Sequence, residues 1–282
     1  MGERWLVAGP QVLEVGEPGL EPRRLNVRLV GGQVAVVGHD DVQTITVEVT
    51  KVGGRPLEVT WDEGTLDISH PKLQWESLLK NIASRGISKD SVEVNIAVPR
   101  GVEVHLGTVS ADGLLSGTTA AAQVRTVSGT IVVNGVGACV DVDSVSGSIE
   151  VQDHRGSLSG TTVSGALTVH ACDLEKLRVK TVSGALTIDL ERAPASVVAR
   201  TVSGDVVVRI PANAGYQLSA RSVSGRITAG NEQLARRPGK VEGVLRDGDG
   251  AVGIVAQTVS GDVTLLHAAA SAGGAPSLLK RP

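Results

Sequence analysis

The chain has 282 residues, of which 41% are hydrophobic, 1% aromatic and 20% charged, and its formal net charge is -3. Acidic side chains outnumber basic ones by 30 to 27, so no excess of positive charge favours a nucleic acid as partner. The charged fraction is too close to average for a solvated disordered chain. Gly occurs 35 times and Phe is absent, which favours aliphatic strands joined by tight turns.

The first residues show no signal peptide, because the longest apolar run, Leu6-Val7-Ala8, is followed at once by Gly9-Pro10. A signal peptide needs an apolar core of ~7–15 residues, and no later stretch approaches the ~18 apolar residues of a membrane span. The sequence therefore predicts a cytoplasmic protein without a membrane span. Association with the cell envelope is the alternative.

The N-terminal third, residues 1–107, predicts degenerate coils of a repeat that becomes regular later in the chain. Apolar residues alternate with polar ones around Gly32 and again around Gly64, in the pattern of half-buried strands. We expect the coils to begin near residue 24. Alternating runs over 42–49 and 92–98 predict further strands.

Residues 73–86 interrupt the strand pattern and predict one short amphipathic helix that ends near Gly86. We expect its apolar face to pack on the stacked coils as a cap or lateral cover, or else to dock a partner or a second copy of the chain. Ser77 and Lys80 match the S-x-x-K motif of penicillin-recognising enzymes, but neither S-D-N nor K-T-G accompanies it. The residues of the apolar face are candidate interaction residues: Trp75, Leu78, Leu79 and Ile82.

A repeat occupies residues 108–266. The tetrapeptide [TS]-V-S-G begins at seven positions from Thr126 to Thr258, and the variant T-V-S-A begins at Thr108. The successive spacings are 18, 18, 18, 19, 20, 21 and 36 residues. Apolar residues stand two and four positions before each tetrapeptide, and five and seven positions after its first residue. These four columns point inward from two strands, so each repeat predicts one coil of a single-stranded β-solenoid with coils of about 18–21 residues.

The tetrapeptide itself predicts a corner between the two strands. Its Gly, for example Gly129, is expected where a Cβ has no room. Its Val, for example Val127, shares its parity with the inward columns of the second strand and is therefore expected inside. Thr126 and Ser128 are then expected outside, in two hydroxyl ladders that bond to the corner backbone and to one another. An ice-binding array is the less favoured interpretation of these ladders.

The spacing of 36 residues marks an insertion at 230–253, which is either an extra irregular coil or an excursion from the stack. It contains Arg236 and Arg237, two further candidate interaction residues. The motif G-x-G-x-x-G begins at Gly248, but a strand rather than a phosphate-binding helix is expected after it. A single domain is thus predicted over 1–266, followed by a flexible tail at 267–282.

The unit V-x-[TS]-V-S-G-x-[ILV]-x-V resembles that of a bacterial family of β-strand-repeat proteins of unknown function that carries an adhesin label. The segments 94–102 and 208–215 are similar to the family's V-x-[ILV]-P-x-[GN]-[AV] lead-in. The resemblance covers roughly residues 20–266. It implies a β-solenoid without an established enzymatic activity, and it supplies no catalytic residues.

The residues themselves also favour a protein without catalytic, cofactor or metal-binding function. The six His show no metal-binding spacing, and His154 and His170 are expected in solvated loops. Cys139 and Cys172 form no C-x-x-C motif. The leading hypothesis is a non-enzymatic structural or interaction protein that presents a polar surface to a protein partner or to itself. The alternatives are an envelope-associated adhesin that binds a glycan or another envelope component, and third a carbohydrate-active solenoid enzyme.

Overall fold

The computed structural model describes residues 2–16, 20–70, 90–192, 195–234 and 240–269. The predicted helix at 73–86 and residues 270–282 of the predicted tail lie outside these ranges. Within them, no helix is long and apolar enough to span a bilayer.

The described residues form the predicted all-β solenoid, in which 25 strands stack into two facing sheets. Each coil contributes one strand to each sheet, and neighbouring coils pair in parallel. In order along the stack, the first sheet contains β1 (Glu3–Val7), β6 (Leu57–Asp62), β7 (Thr65–Ser69), β3 (Arg24–Leu29), β9 (Glu103–Thr108), β11 (Ala122–Thr126), β13 (Val140–Ser144), β15 (Arg155–Thr162), the second half of β16 (Leu167–Thr181), β18 (Ala195–Arg200), β24 (Val252–Gln257), β20 (Tyr216–Ser222) and β23 (Val241–Asp247).

The second sheet follows the same order. It contains β2 (Gln11–Val15), β5 (Ile45–Gly53), β8 (Ser91–Pro99), β4 (Gly31–His39), β10 (Asp112–Ser116), β12 (Ile131–Asn134), β14 (Ile149–Gln152), the first half of β16, β17 (Leu186–Leu190), β19 (Val206–Ile210), β25 (Val263–His267), β21 (Ile227–Ala229) and β22 (Glu232–Gln233). β8 includes the additional strand predicted over 92–98, and β5 begins within the run predicted over 42–49 and extends beyond it.

The core is the space between the two sheets, and the four predicted inward columns fill it. In-register pairing places each apolar side chain directly above its equivalent in the next coil. Leu158, for example, pairs with Val140 on one side and Leu177 on the other. All members of the four columns are buried, including the N-terminal positions around Gly32 and Gly64. The continuous columns confirm the predicted strand pattern.

The chain does not stack its coils in sequence order at either end. The last coil, formed by β24 and β25, lies between the coil of β18 and β19 and the coil of β20 and β21. At the other end, β3 pairs with both β7 and β9, and β4 pairs with both β8 and β10. The first coil (β3 and β4) and the last coil (β24 and β25) are therefore each inserted one rung inside the parallel part of the stack.

Antiparallel strands cover both ends of the parallel stack. At the N-terminal end, the sequence interpretation of a coil around Gly64 is wrong, because β6 and β7 form an antiparallel hairpin and Leu66 pairs with Leu25. Glu63 and Gly64 have φ of 45° and 82°, which makes a tight turn in place of a corner. At the C-terminal end, the insertion is an excursion, in which β22 and β23 pair antiparallel to β21 and β20.

Candidate interaction surface

Each regular corner is held by a hydrogen bond between the first and fourth residues of the tetrapeptide. The Gly184 N–H donates to Thr181 Oγ1 at 2.9 Å, and the Gly204 N–H donates to Thr201 Oγ1 at 2.9 Å. The first residue of every tetrapeptide is buried. At six of the seven [TS]-V-S-G corners the hydroxyl turns inward and supplies the acceptor that the corner amide needs away from water. At the seventh, Ser144 Oγ donates to Gly147 O, and the Gly147 N–H donates to Val127 O.

The orientation predicted for the corner residues is therefore wrong at two of the four positions. Thr126 lies inside, where its Oγ1 accepts from the Gly129 N–H at 3.1 Å, and Val127 points outward. The inward–outward alternation of the second strand does not continue backward through the corner. The reason is that the bond between the hydroxyl and the amide holds the first and fourth residues inside together. The Ser stays outside, as predicted, and Ser128 Oγ donates to Val109 O of the preceding coil at 3.0 Å.

A row of outward valines results, and we call the five most exposed members the valine ridge. Their exposed fractions lie between 41% and 49%, whereas Val109 at the other end of the same column is buried. The Gly corners fix the order in space, because Gly261 stacks on Gly204 and Gly225 stacks on Gly261. In that order the valine ridge consists of Val163, Val182, Val202, Val259 and Val223.

The glycines keep the ridge straight by allowing close stacking. A Cβ on Gly165 would lie 1.9 Å from Gly147 O, and a Cβ on Gly184 would lie 1.9 Å from Gly165 O. No side chain fits at such a distance from a backbone oxygen. Each corner therefore rests directly on the one before it, and the valines follow one another at the ~4.8 Å spacing of paired strands.

Two open clefts lie on the outer faces of the sheets, away from the valine ridge. The cleft on the first sheet has a volume of about 260 Å³ and is lined by Asn26, Val27, Arg28, Asp67, His105, Leu106, Gly107, Gln123 and Arg125. The cleft on the second sheet has a volume of about 540 Å³, and Gln33, Ala35, Glu93, Asn95, Asp112, Leu114 and Thr130 are among the residues that line it. Among the described residues that line these clefts, no side-chain hydroxyl or thiol is hydrogen-bonded to a carboxylate or an imidazole.

The cysteine and histidine side chains of the described residues do not form a catalytic or metal-binding site. Burial raises the pKa of the Cys172 thiol to about 11, so it is not a nucleophile at neutral pH. The expectation of a solvated loop is wrong for His154, which is buried with Nδ1 2.7 Å from Val136 O. His170 is exposed as predicted, but it lies in strand β16 and not in a loop, with Nδ1 3.2 Å from Asp189 Oδ2. Among the residues that the structure describes, no three His, Cys, Asp or Glu side chains cluster around a metal-sized site.

The candidate interaction residues from the sequence lie outside the described ranges: Trp75, Leu78, Leu79, Ile82, Arg236 and Arg237. The G-x-G-x-x-G segment from Gly248 leads into strand β24, as expected. Sequence analysis missed the valine ridge although it identified every tetrapeptide. The sequence could have revealed it, because the inward residues of the first strand lie two and four positions before the Thr. The same alternation continued by two residues places the Thr inside and the following Val outside.

Five solved chains match this chain, including the following two. One is a candidate cell adhesion protein from Clostridium sporogenes, with 12% identity and a TM-score of 0.29 over 92% of this chain and 100% of that one. The other is a candidate lipid binding protein from Parabacteroides distasonis, with 11% identity and a TM-score of 0.40 over 92% of this chain and 97% of that one. At these TM-scores neither carries an argument about function. No protein of curated function matches the chain.

The family comparison covers the solenoid except for the N-terminal strands β1 and β2. The Toastrack DUF4097 family model matches residues 23–266, from the first inserted coil to the end of the last one. This range agrees with the coils that the sequence predicts from residue 24 onward. The chain therefore belongs to the Toastrack DUF4097 family.

Proposed function

We propose that this protein is a non-enzymatic interaction protein, and that the valine ridge is the surface it presents to a protein partner or to a second copy of itself. The observation that supports this function is the ridge: five large apolar side chains stand in line on the surface. Single exposed apolar residues are ordinary, but a contiguous row marks an interaction site.

The corner does not require a valine at this position. Its hydrogen bonds use the hydroxyl of the first residue, the amide of the fourth and the serine of the third. The valine side chain takes part in none of them and points into solvent. A polar residue would fit the same outward position with better solvation, so the repeated valine is better explained by a partner than by folding.

A glycan ligand has less support. Sugar-binding surfaces use exposed aromatic rings, whereas Trp61 and Tyr216 are buried within the described part of the chain and Trp5 is partly covered. The envelope-associated adhesin therefore ranks second as a function. A cytoplasmic location remains a prediction from the sequence.

The double variant Val202→Ser/Val259→Ser tests the ridge, because these two valines are neighbours in space. Val132→Ser is the control, since Val132 is an outward and partly exposed valine on strand β12 of the second sheet. We expect sedimentation velocity of the wild type to show concentration-dependent self-association, or a partner from the native host to co-purify with it. The ridge variant should weaken that association at least tenfold, whereas the control should not. Equal association of all three proteins would contradict the proposed function.

A further inference from the structure

The outer face of the first sheet carries a cluster of cations near the C-terminal end of the stack. Five side chains from β16, β18 and β20 are exposed there, and we call them the basic face: Lys176, Arg178, Lys180, Arg200 and Arg221. Three of them alternate along β16, ~6.6 Å apart. The others continue one outward column, in which Lys180 pairs with Arg200, Arg200 with Gln257 and Gln257 with Arg221.

These cations have no ion-pair partner among the residues that the structure describes. Elsewhere on the same face, cations are matched by acids one rung away. Arg125 lies opposite Asp143 at 3.5 Å, and Arg24 lies opposite Glu103 at 2.9 Å. On the basic face the equivalent neighbour of Lys180 is Arg200, another cation.

Like charges directly opposite each other in a sheet are destabilising, so this arrangement does not serve the fold.

The rest of the face consists of short or uncharged side chains, including Val198, Val255, Ser196 and Ser219. Carboxylates lie at its borders: Glu175 precedes Lys176, and Glu242 lies opposite Arg221 on β23 and pairs with Lys240. The concentration of positive charge in a chain of net charge -3 indicates an anionic ligand.

The shape of the basic face favours an extended ligand over a small one. Both described clefts lie nearer the N-terminal end of the stack, and none of the five cations lines either of them. A small anion or an acidic peptide binds best in a cleft or groove. A flat sheet with rigidly spaced cations suits a fluid layer whose charged groups can move to meet them.

We propose that the basic face binds the surface of an anionic phospholipid bilayer. The first sheet lies parallel to the membrane plane, and the lipid headgroups contact Lys176, Arg178, Lys180, Arg200 and Arg221. This binding is peripheral and electrostatic, so it requires no membrane-spanning segment. It goes beyond the proposed function, because the valine ridge and its partner are not needed for it.

Co-sedimentation of the full chain with vesicles tests this inference. The wild type should bind vesicles of phosphatidylcholine and phosphatidylglycerol, should not bind pure phosphatidylcholine, and should be released by high salt. Lys180→Gln/Arg200→Gln should lower the partition coefficient about 30-fold, at about fivefold for each cation near an anionic surface. The matched control is Arg24→Gln/Arg125→Gln, which removes the same charge from ion-paired positions on the same sheet and should change partitioning less than about threefold.

Several outcomes would overturn the inference. These are equal binding to both vesicle types, equal losses in the two double variants, or failure of the wild type to bind anionic vesicles while it binds duplex DNA or polyphosphate. A second variant, Lys176→Gln/Arg221→Gln, repeats the test if the first fails to fold by circular dichroism. Ridge-dependent association that persists without vesicle binding would refute this inference and leave the proposed function standing.

Discussion

Gly165 shows at the scale of one residue why the corner sequence repeats. A Cβ there would meet Gly147 O at 1.9 Å, so Gly165→Ala must push two coils apart. We expect the free energy of unfolding in urea to fall by about 3 kcal/mol. The control is Gly253→Ala, because Gly253 lies in strand β24 rather than at a corner and has nothing within 4 Å of its Cβ position. Similar losses in the two variants would show that close stacking is not the reason for the glycine.

His70 gives the solenoid a dependence on pH. Its ring is buried, Nδ1 accepts from the Val30 N–H at 3.3 Å, and burial lowers the pKa of His70 below 6.5. Asp90 opposes this shift and Arg55 adds to it. The folded state therefore favours the neutral ring, whereas the unfolded chain takes up a proton below about pH 6.5.

The contribution of His70 to the free energy of unfolding should thus be constant above pH 6.5. It should fall as the pH decreases from 6.5 toward the lowered pKa. His70→Gln retains a hydrogen-bond acceptor but does not titrate. Urea unfolding at a series of pH values should give a shallower decline for this variant than for the wild type. Parallel curves would mean that His70 does not contribute to the pH dependence.

At the scale of the strands, the inserted last coil should be as protected as the middle of the stack. β24 has β18 on one side and β20 on the other, although it is close to the C-terminal end of the described chain. Its amides therefore open only when neighbouring coils separate. Hydrogen exchange should be as slow in β24 as in β18, and faster in β23, which has a described partner on one side only. Exchange that becomes steadily faster toward the C-terminus would contradict the insertion.

The strands and their inward columns could be predicted because a period of two records which side chains face the core. The order of the coils could not. The coils of β20 and β24 carry equivalent columns, so either fits above β18, and the sequence does not indicate that the later one does. The corner was misjudged because apolarity alone places Val127 inside, whereas the buried Gly129 amide selects the hydroxyl of Thr126. The turn at Glu63-Gly64 was missed because it resembles a degenerate corner.

At the scale of the whole molecule, the continuous core should make the solenoid unfold as one unit. Trp5, Trp61 and Trp75 all lie in the N-terminal third of the sequence, so tryptophan fluorescence reports on one end. Circular dichroism in the far ultraviolet reports on all the strands. We expect the two urea transitions to coincide, because each coil packs on the next without a break. Separate midpoints would instead divide the predicted single domain 1–266 into independent parts.

The two inserted coils also determine how the molecule responds to force. A pull on the C-terminal end of β25 acts along a strand that is bonded on both sides, to β19 and to β21. Both rows of hydrogen bonds lie across the pull and resist it together in shear, whereas a strand at the edge of a sheet can be peeled away one bond at a time. The first coil is held in the same way between β7 and β9. At the N-terminal end, β1 and β2 are edge strands with one described partner each, so tension between the two ends of the solenoid peels these strands first and then meets the inserted coils, which resist it in shear.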